Sequence, residues 1–195
     1  VVDKEDAGFE RCAPLEKMGL TTLHNGELVF DGCRVPATRR LGREGQGAIL
    51  FHDSMEVERV LLPAAHLGTL KRVIETCVRY AREREAFGKT IGSYQSVSNK
   101  IADMLVNHEL GTLILRKAAS LKATRKRIPQ DAAICKLFIS ESLKQACLDA
   151  VQIHGGYGYM AEYEIERDLR DSLASTIYSG TSEMQRLIIA KMAGL

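Results

Sequence analysis

The chain has 195 residues, 45% of them hydrophobic and 27% charged, with a formal net charge of +2. This length fits one domain, or one domain with part of another, and the apolar content suffices for a real core. So small a net charge gives no reason to expect a nucleic acid or a membrane surface as partner.

The five cysteines, Cys12, Cys33, Cys77, Cys135 and Cys147, are odd in number and include no CxxC pair. Neither a disulfide framework nor a metal site is expected, and free thiols suit a reducing cytoplasm, or a mitochondrial matrix in a eukaryote. No apolar run has the length of a membrane-spanning helix, and no signal peptide is expected. The opening Val1-Val2-Asp3 reads as mid-strand or loop, so the first residue is expected to be a processing boundary.

Residues 1 to about 40 read as β. Glu27 to Phe30 forms a short strand after the turn pair Asn25-Gly26, and Asp31-Gly32 makes a second turn. Cys33 to Pro36 is extended, because the residue before a proline disfavours helix. Leu41 to Gly47 is a glycine-rich hinge, and the domain boundary is placed at about residue 45.

Helical periodicity takes over from there. It predicts a helix over 47–82, kinked or briefly broken at Pro63. A second runs over 94–126, and a third over 130–153 between Pro129 and the stop at Gly155-Gly156. Shorter helices follow at about 162–174 and 181–193. Lys122, Arg125, Lys126 and Arg127 read as a solvated helix end, where cations suit the dipole. Long helices with short connections imply a mainly α fold, an antiparallel four-helix-type bundle preceded by a short β segment.

Four local patterns carry candidate chemistry. Arg84 to Gly92, followed by Gln95, lies between two long helices. Gly88 and Gly92 permit tight turning, Arg84 offers a planar fork for phosphate, and Gln95 adds a neutral donor. The plainer reading is a helical hairpin with a surface arginine. In Gln152-Ile153-His154-Gly155-Gly156 the paired glycines let backbone N–H groups approach an anion or a flat ring. Its plainer reading is a glycine cap, and His154, lacking a telling partner, reads as structural. In Tyr178 to Arg186, Thr181 or Ser182 can cap the last helix, whose start is also an anion site. In Glu56-Val57-Glu58-Arg59 the two carboxylates, two apart on a helix, diverge, so at most one faces a shared cavity.

In this order and separation the four patterns strongly resemble the acyl-CoA dehydrogenase family. Lys17-Met18-Gly19 and Phe30 to Pro36 look like the end of its middle β-domain. Arg84 to Gln95, Gln152 to Gly156 and Ile177 to Arg186 look like its R-x-x-FG-x-x-I-x-x-x-Q, Q-x-x-GG and IY-x-GTSE-x-QR segments. The resemblance implies residues 1–45 from the β-domain and 46–195 as the helical FAD-binding domain. It implies α,β-dehydrogenation of an acyl thioester: a carboxylate takes the α-proton while the β-hydrogen leaves as hydride to flavin N5.

By this resemblance Arg84, Phe87, Gln95, Gln152, Ile153, His154, Gly155, Gly156, Thr181, Ser182 and Glu183 contact FAD, all but the last three across a subunit interface. Many members carry the catalytic glutamate just before the GTS triplet, where this chain has Ser179. Others carry it on an earlier helix directly before an arginine, as in Glu58-Arg59. Glu58 is therefore the expected base, with Arg59, Ser179 and Gly180 near the substrate. The implied partners are an acyl-CoA or acyl-carrier-protein thioester, a second copy in a homodimer or homotetramer, and electron-transfer flavoprotein or a similar acceptor. Alternatives are a carrier-bound aminoacyl substrate, a flavin oxidase or monooxygenase, and a non-catalytic oligomerisation module. The chain is expected to be the C-terminal part of such an enzyme, inactive by itself.

Overall fold

The computed structural model describes residues 1–125 and 127–195; Lys126, one of the basic group, lies outside the described residues. Contacts divide the chain into Val1–His52 and Asp53–Leu195. In the first unit β1 (Phe9–Arg11) pairs antiparallel with β2 (Leu28–Phe30), Phe9 opposite Phe30. The two rings pack 5.1 Å apart. The second strand thus begins one residue later than the turn pair suggests. Beyond the extended Pro36, a short 3-10 turn at Ala37–Arg39 brings Arg39 onto Asp3 and Asp6, at 2.9 and 2.7 Å.

The helices are α1 (Gly47–Glu83), α2 (Gln95–Thr124), α3 (Pro129–His154), α4 (Ile165–Ser175) and α5 (Ser182–Met192). Of the kink or brief break expected at Pro63, the break does not occur, for α1 continues through it. Pro63 is itself buried, and Val60, Leu67 and Leu70 beside it enter the core. Tertiary burial there outweighs the lost helical hydrogen bond. A hairpin of β3 (Glu85–Ala86) and β4 (Lys89–Thr90) connects α1 to α2.

The core of the second unit is built from Leu70, Val73 and Cys77 of α1, Met104 and Ala118 of α2, and Ile139, Leu143 and Cys147 of α3. Where α2 crosses this core it carries Gly111. A side chain there would stand 2.9 Å from Leu67 and 3.3 Å from Ile139. Small residues serve likewise between α3 and α4, where Ser140, Ser172 and Ser175 are buried and Ser175 Oγ donates to the Ser140 carbonyl at 3.4 Å. Arg72 of α1 pins α4 through the buried Asp168, at 2.6 Å.

All five cysteines are free, and burial pushes the thiols of Cys77, Cys135 and Cys147 up to about 12. These three are packing residues. Among the described residues no helix is long and apolar enough to cross a membrane.

Candidate active site

Two constellations form in the second unit. The first is a cavity of about 460 Å³ lined by Tyr80, Arg84, Ile91, Ile153, His154, Gly155, Gly156, Tyr157 and Met160. It joins two segments that stand about seventy residues apart in sequence. α3 ends at Gly155, whose φ of +59° and ψ of −134° lie in territory essentially closed to other residues. The Cβ positions of Gly155 and Gly156 meet nothing within 4 Å, so both backbones are bare toward the opening. The Arg84 guanidinium lies 5.7 Å from the Tyr157 ring centre.

His154 is nearly fully buried. Its Nδ1 is bonded to the Ala150 carbonyl at 2.8 Å, and its ring stacks on Tyr80 at 4.2 Å. Burial lowers its pKa against the opposing pull of the Ala150 carbonyl, and Arg79 lowers it further. It forms a neutral wall of the cavity.

Phe87, Gln95 and Gln152 do not line this cavity. Phe87 is at the hairpin tip, 98% exposed and at a φ of +52°, followed by Gly88 at +81°. Two positive φ values suit the tight hairpin turn, but a phenylalanine there is strained. Gln95 is exposed at the first turn of α2, and Gln152 is exposed while its carbonyl caps α3. Tyr80, missing from the sequence-derived set, stands one helical turn before Arg84, a spacing that signals a shared face.

The second constellation joins α1 to the turn before α5. Glu58 is half-buried, and its Oε2 accepts from Ser179 Oγ at 2.9 Å. Arg59 Nε donates to the Ser179 carbonyl at 2.9 Å. Gly180 has a φ of +94°, and a Cβ there would stand 2.8 Å from Gln185 Nε2 and 3.2 Å from Arg59 Nη2. The structure thus brings together Glu58, Arg59, Ser179 and Gly180. The buried Glu56 turns the other way, into an ion pair with the half-buried Lys122 of α2 at 2.6 Å. Burial lowers the Arg59 pKa, opposed by the charges of Glu56 and Glu58.

Thr181 caps α5, its hydroxyl accepting from Met184 N at 3.3 Å. Ser182 is buried and donates to Glu141 Oε1 at 2.5 Å. Glu183 is exposed, and its carboxyl is held below the usual range by its own backbone N–H and then by the Thr181 hydroxyl. Glu183 stands in the first turn of α5, where a carboxylate suits the helix start.

Behind the turn, the buried His66 meets Tyr178 Oη at 2.5 Å through Nε2, while Nδ1 finds no partner among the described residues. Burial, aided by the charge of Lys136, lowers His66 from 6.5 to about 4. The folded chain keeps this ring neutral while the unfolded chain takes up a proton. Stability is therefore complete above pH 6.5 and falls as pH drops toward 4, by about 3 kcal/mol. Denaturant midpoints at pH 7 and 4.5 should show this loss, and His66→Gln should flatten it.

The chain belongs to the acyl-CoA dehydrogenase family: residues 45–194 match the family model described as "Acyl-CoA dehydrogenase, C-terminal domain". It is 43% identical over 191 residues to an L-prolyl-[peptidyl-carrier protein] dehydrogenase of Pseudomonas fluorescens, covering 98% of this chain and 50% of that protein. It is 39% identical over 191 residues to an acyl-CoA dehydrogenase of Bacillus subtilis, with the same coverage of each. A solved structure described as PigA with FAD and proline superposes with a TM-score of 0.97 at 38% identity, covering all of this chain and 51% of that one. The chain spans about half the length of the curated relatives it matches.

Proposed function

We propose that this chain is the C-terminal part of an FAD-dependent dehydrogenase that oxidises the α,β bond of an acyl thioester, with Glu58 as the base. The observation that carries this reading is the half-buried Glu58 carboxylate, held by Ser179 at the turn where many family members carry their glutamate. A serine at 179 removes the base from that position, and the neighbouring helix supplies a carboxylate to the same place. Residues 1–45 are read as the end of the β-domain and 46–195 as the helical domain.

The first cavity suits a dinucleotide. Its bare glycine backbones permit close approach of a flat or anionic group, its volume is that of an ordinary ligand site, and Arg84 offers phosphate a fork of donors. Arg84 and Ile153 to Gly156 would hold FAD there, with Phe87, Gln95 and Gln152 at the rim against a second subunit, and Thr181 to Glu183 at the start of α5. FAD, when bound, accepts the two electrons of the oxidation as hydride.

The residues of this chain do the rest. Glu58 takes the α-proton, Ser179 orients that carboxylate, and Arg59 and Gly180 shape the wall beside the thioester. Val106, Leu110 and Leu113, exposed at helical spacing on α2, support self-association as a dimer or tetramer. An electron-transfer flavoprotein is the proposed acceptor.

A second reading, a carrier-bound prolyl thioester in place of an acyl-CoA, is favoured by the likeness to a prolyl-carrier-protein dehydrogenase and to PigA with proline. The test is anaerobic bleaching of the flavin in the intact protein by L-prolyl-carrier protein and by butyryl-CoA. Bleaching by the first alone selects the second reading, and bleaching by no thioester overturns both.

A further inference from the structure

We propose that Gln185 is a positioning residue that aims Glu58 by clamping the Ser179-Gly180 turn; the inference rests on Glu58 being the base. Gln185 is on α5, fully buried, and its Nε2 donates to the Gly180 carbonyl at 2.8 Å and the Ser179 carbonyl at 3.3 Å. The Ser179 carbonyl also accepts from Arg59 of α1 at 2.9 Å. One carbonyl is thus gripped by donors from two helices. The turn they grip is one the chain would not choose: Ser179 holds a φ of +54°, uncommon for serine, and Gly180 one of +94°.

That conformation has a consequence at the carboxylate. With its carbonyl turned toward Arg59 and Gln185, Ser179 directs its hydroxyl to Glu58 Oε2. If the carbonyl rotates, the hydroxyl leaves the carboxylate. The other end of the amide supports this role. Gln185 Oε1 is buried and finds no partner among the described residues. An amide serving only to fill space would give way to an apolar side chain without loss, because an unpaired buried oxygen is costly. What this side chain supplies is its N–H pair. α5 supplies the rigidity, starting at the Thr181 cap with Gln185 N bonded to the Thr181 carbonyl at 3.0 Å.

Gln185 is fully buried behind the turn it holds, so its loss should change the rate of proton removal more than binding. Flavin reduction in the intact protein is followed in single turnover with L-prolyl-carrier protein and with butyryl-CoA. Gln185→Met should lower the limiting rate about tenfold while the half-saturating concentration stays within about twofold. Deuterium on the α-carbon should slow the variant more than the parent. Ser179→Ala should lose a similar factor, and the double variant should be about as slow as the worse single one, because both act through one hydroxyl.

Multiplying losses in the double variant, or a change confined to half-saturation, overturns the proposal. If Glu58→Gln and Ser179→Ala slow reduction but Gln185→Met does not, the clamp fails while the base assignment survives. If Glu58→Gln leaves the rate unchanged, the base assignment itself has failed. Gln185→Glu has the same shape and, when ionised, cannot donate; it is scored by the same criteria should the methionine variant not fold. Loss of folding in both assigns the residue to stability alone and overturns the proposal.

Discussion

Exchange of Glu58 for glutamine should slow reduction of the flavin by a thioester about a thousandfold, with little change in thioester affinity. Glutamine keeps the size of the side chain and can still accept from Ser179 Oγ through its carbonyl oxygen. What it loses is basicity, and an α C–H cannot be ionised without a base in contact with it. The fold should be unaffected, since the side chain is only half-buried and its hydrogen-bond partner is a serine that water can also satisfy. Glu56→Gln provides the contrast. That carboxylate is paired with Lys122 inside the bundle, so its loss should lower the melting temperature and leave the α-proton step of the surviving folded protein close to normal. Stopped-flow absorbance with each variant separates the two. An unchanged rate for Glu58→Gln would remove the base assignment.

Replacing Lys136 by methionine should stabilise the second unit at neutral pH by about 3 kcal/mol. Lys136 is 1% exposed, and its ammonium finds no hydrogen-bond partner among the described residues. Burial lowers its pKa from 10.5 to about 8; Arg59 adds to the shift, while Glu141 and Glu183 oppose it. Below pH 8 the group is charged in both states, and the folded chain bears the full cost of hiding it. Between pH 8 and 10.5 the folded chain releases its proton before the unfolded chain does, so the cost shrinks and stability rises with pH. Methionine has a similar length and no charge to bury. Urea unfolding at pH 7 should show a higher midpoint for Lys136→Met with an unchanged slope. The advantage should shrink as pH rises from 8 toward 10.5. A lower midpoint at pH 7 would mean that the ammonium is held by a favourable interaction.

Much of the helical framework was legible because helices are read from local periods. The start of α2, the proline-led start of α3 and the glycine end at Gly155 all fall within a residue or so of the pattern. The brief break that Pro63 allows is absent for the opposite reason. A proline's effect on a helix is a local rule, but α1 is held by a core whose contributors lie far along the chain. The short strands β3 and β4 leave no signal in the sequence, since two residues on each side of Phe87-Gly88 are too few to show an alternation.

The amino-acid sequence alone determined the helices, their order, the glycine-rich segments that join them and the absence of a glutamate at position 179, because each is carried by neighbours in the chain. Only the tertiary structure decided that Glu58 reaches Ser179, 121 residues away, and that Glu56 does not. The same holds for the meeting of Arg84 with Gly155 around one cavity, for the hydrogen bonds of Gln185 to the Ser179-Gly180 turn and for the burial of Lys136. Such facts depend on which face of one helix packs against which turn of another. Hydrogen bonds and desolvation act over a few ångströms of space, and no spacing within a single segment encodes that approach.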